Sequence, residues 1–123
     1  MGDGELLGIH HVQLAMPAGG EERAVEFYER VLALRRVEKP SNLRGRGGCW
    51  FSGDGVELHL GVEEDFRPAR KAHPALLVRG LEGLRTRLQG AGVRIVDGEP
   101  LEGHSRCYAF DPFGNRIELM ESI

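Results

Sequence analysis

The chain repeats one plan at about half its length. His11 opens the run His11-Val12-Gln13-Leu14-Ala15-Met16, and His73 opens His73-Pro74-Ala75-Leu76-Leu77-Val78. Val56-Glu57-Leu58 follows the first run and Ile117-Glu118-Leu119 follows the second. Glu57 lies 46 residues after His11, and Glu118 lies 45 after His73. A period near half the chain marks two halves of one architecture. Each half carries one histidine and one carboxylate. Pseudo-twofold symmetry would bring His11, Glu57, His73 and Glu118 around one point, a ligand set for a divalent metal.

Bulk properties exclude several classes. A chain of 123 residues buries roughly two thirds of its unfolded surface, enough for a core without staples. A net charge of −3 gives no reason to expect nucleic acid. Cys49 and Cys107 lack the paired spacing of a zinc or redox motif and read as small buried apolar residues. Residues 1–8 have neither the basic start nor the apolar core of a signal peptide. No run approaches the roughly 20 apolar residues of a membrane span. The expectation is a soluble cytoplasmic protein with no membrane partner.

Patterning predicts β-α-β-β-β twice. Strands are expected over 9–16, 35–38, 49–52 and 56–60, with Gly53-Asp54-Gly55 as a hairpin turn. A helix is expected over 21–34, where Ala24, Phe27, Tyr28, Val31 and Leu34 form an apolar stripe. Residues 40–48 read as a loop. The second half gives strands over 73–78, 93–96, 106–110 and 116–120, and a helix over 81–91 closed by Gly92. Residues 97–104 read as a loop and Asp111-Pro112-Phe113-Gly114-Asn115 as a turn. The fold class is α+β: paired β-α-β-β-β modules forming a cup-shaped curved sheet with helices outside.

Strand parity sorts the side chains. Val12, Leu14 and Met16 form an apolar set that packs under helices, so His11, Gln13 and Ala15 face away. In the other three strands Glu57, His59, His73 and Glu118 also fall on the face away from the helices. Any one of these alone reads as an ordinary polar group on a half-buried strand. The metal reading rests on four at matching repeat positions, which descent could also preserve after a metal is lost. His10 has the wrong parity or sits at a strand end.

Three stretches then carry a resemblance: Ile9-His10-His11-Val12-Gln13-Leu14, Ala24-Val25-Glu26-Phe27-Tyr28 with Val31-Leu32, and Asp111-Pro112-Phe113-Gly114-Asn115-Arg116-Ile117-Glu118-Leu119. Over residues 8–122 the chain resembles the vicinal oxygen chelate superfamily. That family includes glyoxalase I, methylmalonyl-CoA epimerase, extradiol dioxygenases, and the fosfomycin and bleomycin resistance proteins. The resemblance implies a single glyoxalase-like domain over 1–123, with one module over about 8–61, a linker over 62–72 and a second module over about 73–122. It also implies a homodimer and a divalent metal (Zn, Ni, Co, Mn or Fe) on His11, Glu57, His73 and Glu118. His59 competes with Glu57, which is favoured because it matches Glu118 in the repeat.

Family members use the metal as a Lewis acid on substrate oxygens. Glu118 and Glu57 are then the candidate catalytic carboxylates, moving a proton on a carbon next to a carbonyl. This points to a lyase or isomerase acting on a small oxygen-bearing molecule. Two positions depart from glyoxalase I: Ala15 replaces an arginine and Gly61 an asparagine, so glutathione recognition is not expected. The alternatives are an Fe(II) dioxygenase using His11, His73 and Glu118, or a metal-free ligand-binding protein of the bleomycin-resistance kind. Gln13, Arg106, Tyr108 and Phe110 are candidate substrate contacts, and Trp50 reads as core or wall. In the linker, Arg67, Arg70 and Lys71 follow Glu63-Glu64-Asp65; a solvated segment is preferred there over an anion clamp. Arg46 and His104 sit in loops and read as solvated.

Overall fold

The computed structural model describes residues 2–123. The first half contains β1 (Val12–Met16), α1 (Glu21–Ala24, continued through Val25–Val31), β2 (Arg35–Val37), β3 (Cys49–Gly53) and β4 (Val56–Val62). The second contains β5 (Ala75–Leu77), α2 (Leu81–Gly90), β6 (Ile95–Asp97), β7 (His104–Phe110) and β8 (Arg116–Ser122). Each half builds its own four-stranded sheet, in the orders β1-β4-β3-β2 and β5-β8-β7-β6. In both, the first strand runs parallel to the last, and the other pairs are antiparallel. The expected two modules and their strand-helix-strand order are therefore present.

The parity argument holds for the apolar set. Met16, Leu58, Leu60, Ile117 and Leu119 are buried with Phe27, Tyr28, Val31, Leu81, Leu84 and Leu88 of the helices in one core. Cys49 and Cys107 are buried in that core, opposite Leu60 and Leu119 respectively. Burial pushes both thiols above their ordinary pKa, as expected of inert apolar cysteines.

Four expectations are corrected. His11 and His73 precede their strands, which begin at Val12 and Ala75. Ile9, His10 and His11 lie exposed ahead of the ladder. The helix over 21–34 is not one regular α-helix. Beyond Ala24 it opens into wider π-helical turns, where Leu32 N–H donates to the Phe27 carbonyl five residues back. It ends before Ala33, which has φ 63°. The wider turn buries the consecutive residues Phe27 and Tyr28 together, which a regular stripe does less well. Within the 40–48 loop, Ser41–Arg46 coil into a 3-10 turn. Strands β4 and β8 run further than their apolar runs, to Val62 and Ser122.

One buried polar device ties the modules together, and a second, more exposed one fixes α2 to β8 within the second module. Asp111 is 5% exposed and accepts bonds from Phe113 N–H (2.9 Å) and Asn115 N–H (2.8 Å), which close the turn before β8. It also accepts the Tyr28 hydroxyl of the first module at 2.7 Å. Asn115 Nδ2 donates to Asp111 (2.9 Å) and across to the Ala15 carbonyl of β1 (2.8 Å). Burial, and then the Asp111 charge, push the Tyr28 hydroxyl well above its ordinary pKa, so it stays a donor. At the other device, Glu121 accepts the Gly80 and Leu81 amides (2.6 and 2.9 Å) and so caps α2 from the last strand. Carboxylates are favoured at that helix end.

Candidate metal centre

In the second module the site begins with a histidine held from both sides. His73 Nδ1 lies 2.6 Å from the Lys71 carbonyl, and Nε2 lies 2.9 Å from Glu118 Oε1. A carbonyl can only accept, so Nδ1 carries a proton. In the neutral ring Nε2 is then a bare lone pair facing a carboxylate. That contact closes only with an added proton or a cation between them. A backbone carbonyl that fixes one ring nitrogen and its tautomer is a feature that metal-ligating histidines share.

Glu118 is 7% exposed. Burial alone would raise its pKa. The hydrogen bonds from His73 and Arg106 outweigh that and hold the carboxyl below its ordinary range. Arg106 Nη1 donates to Glu118 Oε2 (3.0 Å) and to the Tyr108 hydroxyl (2.8 Å). Its other nitrogens donate to the Glu99 carbonyl at 3.0 and 2.6 Å. Residues 98–103, expected only as a loop, thus supply the anchor that fixes Arg106. Gly98 makes this possible, because a Cβ there would come within 2.9 Å of Tyr108 and 3.0 Å of Arg106. Nothing in the sequence pattern singles out Gly98 or the Glu99 carbonyl, since both act through backbone.

The first module builds a stack of rings. Trp50 lies flat on His59 (3.8 Å, 3°), and His59 lies on His11 (4.1 Å, 20°). Trp50 is half-buried and lies outside the apolar core. His59 is buried, and burial followed by the neighbouring His11 push its pKa below the ordinary value. The ring is neutral and competent as a ligand. His10 Nδ1 sits 2.9 Å from His11 Nδ1, so His10 supports His11 and stays outside the stack. Glu57 is exposed and accepts the Ser52 hydroxyl at 2.7 Å. Gln13 lies over Gly61, where a Cβ would meet its Nε2 at 2.6 Å. The glycine in place of an asparagine leaves room for that amide.

Register decides which first-module residue corresponds to Glu118. Each residue of β1 stands opposite the one 46 positions on, such as Val12 opposite Leu58. Each residue of β5 stands opposite the one 43 positions on, such as Ala75 opposite Glu118. Carrying His11 onto His73 therefore carries His59 onto Glu118 and Glu57 onto Arg116. The antiparallel ladders agree, with Trp50 opposite His59 and Tyr108 opposite Glu118. The contacts agree too, since His11 touches His59 as His73 touches Glu118. The match of Val56-Glu57-Leu58 to Ile117-Glu118-Leu119 is displaced by two residues. The sequence-based preference for Glu57 as the repeat partner of Glu118 is thereby corrected in favour of His59.

Of the remaining candidates, Arg106 and Tyr108 lie beside Glu118. Phe110 keeps the same face opposite Arg116, but its ring is covered by the Arg94 guanidinium at 4.4 Å. Among the described residues, no three His, Cys, Asp or Glu side chains converge on a metal position. Within one chain the four positions form two pairs, His11 with His59 and His73 with Glu118. Each pair offers donors suited to a divalent ion, and neither completes a set alone.

Residues 8–119 match the family model described as the Glyoxalase/Bleomycin resistance protein/Dioxygenase superfamily. No curated protein matches the chain in sequence. Among solved structures, a glyoxalase family protein from Bacillus anthracis is 42% identical, with TM-score 0.93 and 98% of each chain covered. A glyoxalase/dioxygenase from Nostoc punctiforme is 22% identical, with TM-score 0.78, covering 100% of this chain and 96% of its own. The fosfomycin resistance protein FosX from Listeria monocytogenes, complexed with Mn(II) and sulfate, is 14% identical. Its TM-score is 0.76, and 97% of this chain and 93% of that one are covered. The last two show likeness of fold.

Proposed function

Because the chain belongs to the Glyoxalase/Bleomycin resistance protein/Dioxygenase superfamily, we propose that it is a divalent-metal-dependent enzyme. The proposed reaction is that of a lyase or isomerase on a small oxygen-bearing molecule. The observation that carries this reading is His73: Nδ1 tied to a backbone carbonyl, Nε2 aimed at an ionised, nearly buried carboxylate. His73 and Glu118 would hold the ion from one chain. His11 and His59 of a second copy would complete the set in a homodimer, because the chain's own two pairs do not converge. When bound, the ion supplies Lewis acidity toward substrate oxygens and stabilises negative charge that develops there.

The chain's own residues do the rest. Arg106 keeps Glu118 ionised and immobile. The Tyr108 hydroxyl accepts from Arg106, which leaves its own proton free to donate to a substrate oxygen. Glu57, free of ligand duty in this reading, is an exposed carboxylate that Ser52 orients. It is suited to take a proton from a carbon beside a carbonyl. A metal-free ligand-binding role is the second reading, favoured by the flat Trp50–His59–His11 stack as a platform for a planar ligand.

Elemental analysis tests the first reading. Untagged protein is measured as purified and after soaking in Ni, Zn, Mn or Fe(II). About one ion per chain, lost in Glu118→Gln, is expected. No retention under any condition, or retention unchanged in Glu118→Gln, overturns it.

A further inference from the structure

We infer that Arg116 anchors an anionic group of a small molecule, a carboxylate, phosphonate or phosphate, in the crease between the two modules. This names a substrate class for the site above and rests on that reading for its link to chemistry. The guanidinium is incompletely used. Nη2 donates to the Arg70 carbonyl at 2.6 Å, while Nε is sealed from solvent and has no partner. Among the described residues no carboxylate pairs with it. A buried donor without a partner is costly, so the chain alone leaves this guanidinium unsatisfied. The side chain is also fixed, lying 4.8 Å over the Tyr108 ring. A preorganised guanidinium suits bidentate recognition of oxyanions.

Arg116 borders a cavity of about 500 Å³ between β1 and the segment leading into β5. Gln13, Arg67 and His73 share its lining. Arg67 adds a second positive charge that forms no ion pair among the described residues, against the single carboxylate of Glu63. Register sharpens the contrast. Arg116 occupies the position that Glu57 holds in the first module. There a neighbouring hydroxyl satisfies the carboxylate, whereas Arg116 has no counter-charge. Because His73 lines the same cavity, an anion held at Arg116 would lie beside the His73–Glu118 pair. Other oxygens of the same molecule could then meet the reacting centre.

Titration calorimetry of inorganic phosphate into chelator-treated, metal-free protein tests this, with chloride holding ionic strength constant. Saturable binding is expected, weakened about tenfold or more in Arg116→Gln and by a smaller factor in Arg67→Ala. Arg67 is exposed, so its variant decides the matter if Arg116→Gln does not fold. Absence of saturable binding by the parent chain overturns the inference, as does equal binding by whichever variants fold. Metal retention is read separately by elemental analysis. Phosphate binding without metal retention defeats the enzyme reading alone, and the reverse result defeats the anchor alone.

Discussion

Glu118 shows how a nearly buried carboxylate is kept charged. Taking an ion out of water costs several kcal/mol, and here two hydrogen bonds offset it. Its folded pKa lies below the ordinary 4.5. Such a group contributes stability that is fully present above the ordinary value and is lost as pH falls through the folded value. Replacing Arg106 by Gln removes a permanently charged donor and raises the folded pKa. The acid-unfolding midpoint of that variant, followed by circular dichroism, should therefore move to higher pH; an unmoved midpoint would mean that Arg106 does not hold Glu118. At the same scale, His59→Ala should lower metal affinity by more than the roughly 10–100-fold typical of outer partners. Glu57→Ala should leave metal affinity nearly unchanged while lowering turnover. Equilibrium dialysis of both variants separates ligand from proton carrier. Similar metal affinities in the two would remove the distinction drawn from the register.

At the scale of elements, the turn before β8 matters as much for assembly as for the strand it precedes. Asp111 gathers amides from its own turn and a hydroxyl from the first helix, and Asn115 reaches the edge of β1. Tyr28→Phe leaves the turn intact but removes one of the buried bonds between modules. It should cost about 1–3 kcal/mol in urea unfolding. A loss indistinguishable from zero would show that this bond does not help hold the two modules together. Much of this scale was legible in the sequence. Period-2 alternation placed Met16, Leu58 and Leu119 in the core, and the Gly53-Asp54-Gly55 turn set the first hairpin. The wide turns after Ala24 were not legible, because they answer to tertiary demand from two adjacent aromatic residues. The role of Asp111 was not legible either, since its partner Tyr28 is 83 positions away.

At the scale of the molecule, the duplication carried the fold, but it pointed to the wrong repeat counterpart of Glu118. Two Val/Ile-Glu-Leu triplets at nearly equal distances from two histidines suggested equivalence. The ladders differ by three residues between modules, so the triplets fall on different rungs. Only strand pairing reveals this, because local sequence does not encode register. The anchors of Arg106 were likewise invisible, being a carbonyl and a missing Cβ. The same geometry divides the candidate positions into two pairs within a chain, which is why the proposed site draws on two copies.

The most direct measurement is metal content after mixing two inactive variants, His11→Ala and Glu118→Gln, refolded together, with each refolded alone as control. A site shared across copies leaves one intact centre in every hybrid dimer. The mixture should then recover metal, at about one ion per hybrid dimer, while neither variant alone retains any. A mixture as empty as its components, beside a parent chain that holds its metal, would contradict a shared site.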